Sequence, residues 1–334
     1  LMTIASRSNF FLISSISQRN FLGRGQTIEL KAEVGSKSSR FTFSFTEPWL
    51  FDIPLSAGFD LYNWITEYDY YDKDSKGGSL RAGYTIFDYT RVYLSYSYEQ
   101  AKIYNVIETE TIESEGTNIT SSVSNTLSYD SRDKIFNTTE GSEHSFTIEY
   151  AGNFLGGNIA YTKYIAETGW YFPLFWSTLT FLHGKSGYVE KNPGGRLPDY
   201  ERFYLGGMNS IRGFDFHDIS GTTFYTDALG NLYEIQIGGN KFVQFNAEYQ
   251  FPLIKKAGIM GLLFYDTGNV FMEGENIALD SLRESAGCGV RWYSPIGPIR
   301  LEYGYILDRK TYMRNGKKER EGNGGWEFTM GGAF

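Results

Sequence analysis

The sequence is short of cysteine, of long apolar runs and of basic charge. One cysteine, Cys288, stands among 334 residues, which excludes an intrachain disulfide framework and a zinc site of clustered thiolates. No apolar run approaches the roughly 18 residues that a membrane-spanning helix needs. The formal net charge of -8 provides no concentrated positive surface, so we expect no nucleic-acid partner.

Motifs for enzymatic chemistry are also missing from the sequence. No nucleotide-binding motif, metal-ligand cluster or catalytic triad is visible, so we expect no enzyme, no cofactor and no metal site. The acids at 108, 110, 113 and 115 lack the glycine and oxygen-ligand spacing of a calcium loop, which favours a solvated charged tip. Residues 1–9 lack the charged start, the apolar core and the small-residue cleavage site of a signal peptide. We therefore expect a matured chain or one whose front was removed.

Alternation of apolar and polar residues dominates what is present. Apolar side chains take every second position in segments 27–34 and 243–251, which predicts strands with one apolar and one polar face. Many such segments run nine residues or more with Tyr, Trp or Phe near their ends, whereas strands of a soluble sandwich usually have about five or six residues. Strands of about 9–11 residues with aromatic ends are typical of a membrane barrel whose polar face lines the lumen.

The connections between these segments predict the topology. Short turns alternate with longer polar loops at 67–78, 105–120, 190–231, 273–282 and 308–325, as in outer-membrane barrels with periplasmic turns and outer loops. We predict an all-β fold, a transmembrane antiparallel β-barrel of about 16 strands, as one domain over residues 1–334. An even count puts both termini on the periplasmic side, and the first strand must pair with the last. The predicted strands are 1–8, 10–20, 26–36, 39–47, 54–66, 78–88, 90–104, 119–130, 142–154, 158–172, 176–190, 232–252, 258–272, 283–294, 298–308 and 325–334.

A series of motifs, in this order along the chain, resembles a known family. They are residues 20–26 (NFLGRGQ), 45–49 (FTEPW), 130–133 (DSRD) with Thr139 and Gly141, 206–214 (GGMNSIRGF), 264–270 (FYDTGNV), 289–298 (GVRWYSPIGP) and the terminal Phe334. In this combination the chain resembles the C-terminal barrel of the BamA family of outer-membrane-protein insertases, over essentially its whole length. Members of that family carry periplasmic POTRA repeats before the barrel, and these are absent from this sequence.

The resemblance implies an integral protein of the outer membrane of a Gram-negative bacterium. Its function would be to fold and insert client β-barrel proteins, with lateral opening between the first and last strands and addition of a client strand to the exposed edge. The implied partners are the lipid bilayer, unfolded client barrels, and assembly lipoproteins that dock through the POTRA repeats.

The longest irregular stretch of the chain holds a cationic, glycine-containing tetrapeptide: Ile211, Arg212, Gly213 and Phe214. From the residues alone, Arg212 is either an exposed loop arginine beside a turn glycine or a side chain that faces inward. The resemblance favours the second alternative, because the family's loop arginine folds into the lumen.

Two acidic residues are the implied lumen partners of Arg212, namely Glu248 and Asp266 on the twelfth and thirteenth strands. Glu248 shares the parity of the polar face in segment 243–251. Alternation does not show which face of the strand Asp266 lies on, because residues 262–265 are apolar at both odd and even positions. A carboxylate that faces lipid is unfavourable by up to a few kcal/mol at mid-depth, so we expect Asp266 in the lumen.

The two ends of the chain are the candidate lateral seam: Ile4, Ala5, Gly331, Gly332, Ala333 and Phe334. The last segment alternates like an ordinary closing strand, which is one interpretation. The other is a weak seam, because two successive glycines lower strand propensity and the first strand is short. A weak seam leaves edge N–H and C=O groups available to another chain.

Three functions compete at this point. The first is an insertase, the second is a translocation barrel similar to TamA or to two-partner secretion pores, and the third is a passive porin or adhesin. A porin needs a constricting loop with opposed charges and has no need of a glycine-softened seam. The number of POTRA repeats upstream would distinguish the first two.

Overall fold

A computed structural model describes residues 2–3, 5–6, 11–68, 70–107, 114–226, 230, 232–294, 297–314 and 317–330. Long strands dominate it. They are β1 (Met2–Thr3), β2 (Ala5–Ser6), β3 (Phe11–Phe21), β4 (Gln26–Gly35), β5 (Ser38–Glu47), β6 (Leu55–Glu67), β7 (Asp72–Phe87), β8 (Thr90–Tyr104), β9 (Gly116–Asp130), β10 (Gly141–Ala151), β11 (Tyr161–Pro173), β12 (Leu179–Lys191), β13 (Thr222–Thr226), β14 (Leu232–Gln236), β15 (Lys241–Ile254), β16 (Ile259–Phe271), β17 (Arg283–Ser294), β18 (Gly297–Ile306), β19 (Thr311–Arg314), β20 (Lys317–Arg320) and β21 (Gly324–Met330).

The helical segments are single 3-10 turns in the connections: Leu50–Asp52, Asn153–Leu155, Phe175–Ser177, Asp199–Glu201, Lys255–Ala257 and Leu279–Ser281. Among the residues that the structure describes, no helix has the length and apolar character to cross a bilayer.

One antiparallel sheet contains fifteen of the long strands. Neighbours in sequence pair from β3 to β12, β12 then pairs with β15, and β18 pairs with β21, so the hairpins β13–β14 and β19–β20 lie outside the sheet. The N-terminal segments connect its two ends, since β1 pairs with β3 and β2 pairs with β21. Counted as one strand, these segments bring the total to the sixteen predicted, and the antiparallel barrel is confirmed.

The outward face of the sheet is apolar and exposed. Leucines at positions 30, 61, 80, 263 and 301 have between 43% and 62% of their surface exposed, on a chain whose mean hydropathy is only -0.35. Exposed apolar side chains in such number are expected where lipid replaces water around a barrel. The opposite face, on β15 to β18, is buried and carries most of the buried charged side chains, together with a few apolar ones.

Several predicted boundaries were wrong. Residues 72–77 belong to β7 and not to the predicted loop 67–78, because this polar extension continues the ladder with β6 and β8. The predicted strand 232–252 is two strands, β14 and β15, separated around Gly238, whose φ of +71° does not fit a strand. Hairpins also occupy parts of the predicted loops 190–231 and 308–325.

Candidate functional site

The connection between β12 and β15 folds into the barrel lumen, and its tip is residues 206–214. A backbone hydrogen bond from Gly207 to the carbonyl of Phe214 closes the tip at 3.0 Å. Gly213 has a φ of +91°, and a Cβ there would lie 2.8 Å from the backbone of Gly304 on β18. Glycine is therefore required at position 213 for the tip to lie against the wall.

Arg212 lies at the centre of the site and is 2% exposed. Its Nε and Nη2 donate to the two carboxylate oxygens of Asp266, both at 2.7 Å, and its backbone N–H also donates to Asp266 at 3.1 Å. Its Nη1 donates to Glu248 at 2.6 Å. The bidentate pair fixes the guanidinium geometrically as well as by charge. The structure thus brings together Arg212, Glu248 and Asp266.

Asp266 lies on the lumen face of β16, the orientation that alternation in the sequence did not decide. Leu262, Phe264 and Asp266 are buried on the lumen side, whereas Leu263 and Tyr265 are exposed on the lipid side. Alternation is complete, but the lumen-facing positions 262 and 264 are both apolar, and the loop tip contacts the second of them. The guanidinium carbon of Arg212 lies 3.6 Å from the ring centroid of Phe264, within the range of a cation–π contact.

Further charged residues surround Arg212 that the sequence reasoning missed. Glu302 on β18 accepts from Nη1 of Arg212 at 2.7 Å. Arg291 bridges Glu248 and Glu302, and Arg300 donates to Glu302 at 2.9 Å. Three guanidinium groups thus meet three carboxylates in a buried cluster. A signal was present, because Arg300 and Glu302 alternate with apolar residues and a membrane strand must direct such charges inward.

The apolar residues of the tetrapeptide fix the tip by packing. Ile211 is completely buried and Phe214 is 2% exposed. Both belong to one apolar cluster with Leu205, Ile219, Phe242, Val270 and Ile306. The ring of Phe214 also lies 4.6 Å from the guanidinium carbon of Arg283. The tip therefore combines an ionic centre with an apolar rim.

The beginning of the same loop is attached to another part of the wall. Nζ of Lys163 on β11 donates to Glu201 at 2.6 Å, and Nδ2 of Asn118 on β9 donates to the hydroxyl of Tyr200 at 2.9 Å. Burial alone would raise the pKa of Glu201, but the nearby ammonium groups of Lys163 and Lys73 and the hydrogen bond from Lys163 lower this pKa below its usual value.

The predicted seam residues are only partly described. Ala5 pairs with Thr329 across the seam, next to the pair of Ser6 and Phe328. Ile4, Gly331, Gly332, Ala333 and Phe334 lie outside the described residues. Among all the residues that the structure describes, no group of three or more His, Cys, Asp or Glu side chains is placed to hold a metal ion.

Comparison with known proteins relates this architecture to one family. Residues 20–334 match the model of the Omp85 superfamily domain. The outer membrane protein assembly factor BamA of Nitratidesulfovibrio vulgaris is 30% identical over 331 residues, which cover 97% of this chain and 40% of that protein. The chain therefore spans about two fifths of the length of this relative.

Solved structures share the fold. BamA from Haemophilus ducreyi lacking POTRA domains 1–3 superposes with a TM-score of 0.83 at 22% identity, covering 98% of this chain and 68% of that one. CdiB from Acinetobacter baumannii gives a TM-score of 0.62 at 15% identity, with 98% and 58% covered. The lipid-facing strands and these similarities place the chain in the outer membrane as an integral barrel. The chain belongs to the Omp85 superfamily.

Proposed function

We propose that this chain is the membrane barrel of an outer-membrane protein assembly factor, which folds and inserts client β-barrel proteins without catalysing a covalent reaction. The observation that carries the proposal is the 30% identity to a BamA over 97% of the chain. As a single barrel domain over residues 1–334, it would work with accessory lipoproteins and with periplasmic POTRA repeats of the kind that the family carries.

The seam between the first and last strands is the proposed point of client entry. β21 pairs with β2 at Ala5–Thr329 and Ser6–Phe328. These strands come from opposite ends of the sequence, so no turn connects them, and their separation would expose edge N–H and C=O groups. A client strand could then pair with that edge by main-chain hydrogen bonds, which do not depend on one client sequence.

A loop with opposed charges inside the lumen would also suit a passive porin, so the docked loop alone does not separate the two functions. The relatives favour the assembly factor, because the protein that is 30% identical over 97% of this chain carries that name. A translocation barrel similar to TamA or to two-partner secretion pores is the second candidate, supported by the shared fold with CdiB. The higher TM-score with BamA, 0.83 against 0.62, favours the assembly factor.

A disulfide across the seam tests the proposal. Ser6 and Phe328 face each other in the register, and directly opposed residues have Cα atoms about 4.5–5.5 Å apart, within the range that a disulfide accepts. We would introduce Ser6→Cys and Phe328→Cys with Cys288→Ser, because Cys288 is exposed. The protein is reconstituted in liposomes, and the folding rate of an unrelated barrel is measured. Oxidation should abolish the acceleration of folding, and reduction should restore it.

A matched disulfide away from the seam provides the control. Leu30 and Phe43 are directly paired on β4 and β5, so cysteines there cross-link two strands that need not separate. This cross-link should leave client folding unchanged. Undiminished activity with a verified seam cross-link would refute lateral opening, and no acceleration by the uncross-linked protein would refute the assembly function itself.

A further inference from the structure

The loop tip contacts the last strand of the barrel through Glu327. The backbone N–H of Gly213 donates to Oε1 of Glu327 at 2.8 Å, and Glu327 is 5% exposed. Within the described part of the chain, this amide is the one hydrogen-bond donor to that carboxylate. Glu327 belongs to β21, which pairs with β2 across the seam. The tip therefore touches one of the strands that form the seam.

A second carboxylate lies directly opposite Glu327 on the neighbouring strand. The register pairs Glu327 of β21 with Glu302 of β18, and both side chains are buried on the lumen side. Like charges that face each other across a ladder destabilise the pairing, and the effect is stronger where water is excluded. When both groups are ionised, the contact between these two strands is unfavourable unless nearby cations and hydrogen-bond donors offset it.

The docked tip offsets this contact on both sides. Nη1 of Arg212 donates a hydrogen bond to Glu302 at 2.7 Å, and the backbone amide of Gly213 donates one to Glu327. Arg291 and Arg300 also donate to Glu302, but they belong to the wall and remain when the tip leaves. Departure of the tip removes one cation from Glu302 and the donor from Glu327. The two carboxylates then repel each other, or one must take up a proton at a cost in free energy.

We propose that the opposed pair Glu302 and Glu327 couples docking of the loop tip to closure of the seam. A docked tip stabilises β21 in the ladder with β18. An undocked tip leaves β21 paired with β18 through a ladder that contains a like-charge pair, and paired with β2 on its other side. This inference rests on the proposed function only in assigning the seam a role.

Coupling of this kind is reciprocal. If the tip stabilises β21, then fixing β21 at the seam must stabilise the docked tip by the same factor. The proposal therefore predicts two effects that can be measured separately on the purified barrel, and neither requires a client protein.

The first measurement is amide hydrogen exchange of residues 324–330 in the full chain, refolded into lipid nanodiscs. Arg212→Ala should accelerate exchange there about five-fold, the size expected for a cross-strand charge effect at the upper end of its range. Adding Glu327→Gln should return exchange close to the parent rate, because a neutral side chain opposite Glu302 removes the like-charge repulsion whether or not the tip is docked. A double variant that exchanges as fast as Arg212→Ala would overturn the proposal.

A lumen glutamate on a distant wall is the matched control. Glu143 of β10 pairs with Arg132 at 3.0 Å, so Glu143→Gln makes the same chemical change away from the tip and seam. It should not restore slow exchange in the Arg212→Ala background. Equal restoration by both glutamines would mean that total lumen charge, and not the opposed pair, sets the stability of β21.

The second measurement uses no Arg212 variant, so it stands even if that variant fails to fold. The oxidised Ser6→Cys/Phe328→Cys barrel, with Cys288→Ser, should resist trypsin cleavage after Arg202 of the loop more than its reduced form. An unchanged cleavage rate would overturn the coupling. The proposed function would be unaffected, because its test is the folding of a client.

Discussion

Removal of the Arg212 side chain should release the loop tip while leaving the barrel folded. The side chain donates to three buried carboxylates, those of Asp266, Glu248 and Glu302. Breaking a buried ion pair by deleting one partner typically costs about 3–5 kcal/mol. We expect the lower end, because Glu248 and Glu302 keep hydrogen bonds from Arg291. The strand ladders contain no part of this side chain, so the sheet should remain.

The assay for this prediction is tryptic cleavage of the loop after Arg202. When opening and closing are fast relative to cleavage, the cleavage rate follows the population of the open loop. A cost of about 3 kcal/mol raises that population roughly a hundred-fold, so cleavage of Arg212→Ala should accelerate by about that factor. Heat-modifiable migration on a gel would report that the barrel is intact.

Arg81→Ala is the matched control for that assay. Arg81 is also a lumen arginine with a bidentate carboxylate partner, Asp60, but its hydrogen bonds go to the barrel wall. This variant should be cleaved at the parent rate. If Arg212→Ala is cleaved no faster than Arg81→Ala, then the ionic cluster does not hold the tip and the reasoning from buried charge is wrong.

Three further predictions concern the same loop. Arg212→Lys should behave more like Arg212→Ala than like the parent in the trypsin assay, because an ammonium cannot reproduce the planar two-point contact; parent-like cleavage would contradict this. Gly304→Ala should also loosen the tip, because its Cβ would lie 2.5 Å from the backbone nitrogen of Gly213. Gly184→Ala is the control and should be tolerated, because the nearest atoms to its Cβ are side-chain carbons at 3.5 Å or more. Equal melting temperatures and equal cleavage rates of the two variants would refute the close-packing argument. Because the pKa of Glu201 is lowered, its contribution to attachment of the loop is fully present above its usual pKa of 4.5 and is lost as the pH falls below that value. Pepsin cleavage of the loop should therefore rise on acidification. Glu201→Gln should make cleavage of the loop less dependent on pH.

Strand positions were predictable where alternation was strong and both faces met different solvents. The predicted segments 90–104 and 283–294 agree with β8 and β17 at both ends. Prediction failed for the start of β7, because its polar residues 72–77 alternate no apolar face and resemble a loop. It also failed between β14 and β15, where only a glycine with positive φ marks the break.

The candidate site was partly predictable for a different reason. Glu248 followed from parity, and Arg212 followed from resemblance to a family. Asp266 could not be placed by parity, because the lumen-facing residues Leu262 and Phe264 are apolar like the lipid-facing residues between them. The opposition of Glu327 and Glu302 could not be predicted, because pairing of β18 with β21 skips a hairpin and its register is not visible in the sequence.

The contacts of the loop tip also set an order in which the barrel can assemble. The tip precedes its partners in the chain: Glu248 follows Arg212 by 36 residues and Glu302 by 90, and Glu327 follows Gly213 by 114. Contacts between residues far apart in sequence form late, because they close the longest loops. The tip can therefore act as a scaffold on which β15, β16 and β18 collect in turn. The last strand, β21, then gains its contact with Gly213 only if the loop tip already lies in the lumen. Closure of the barrel is therefore favoured once the loop has been enclosed.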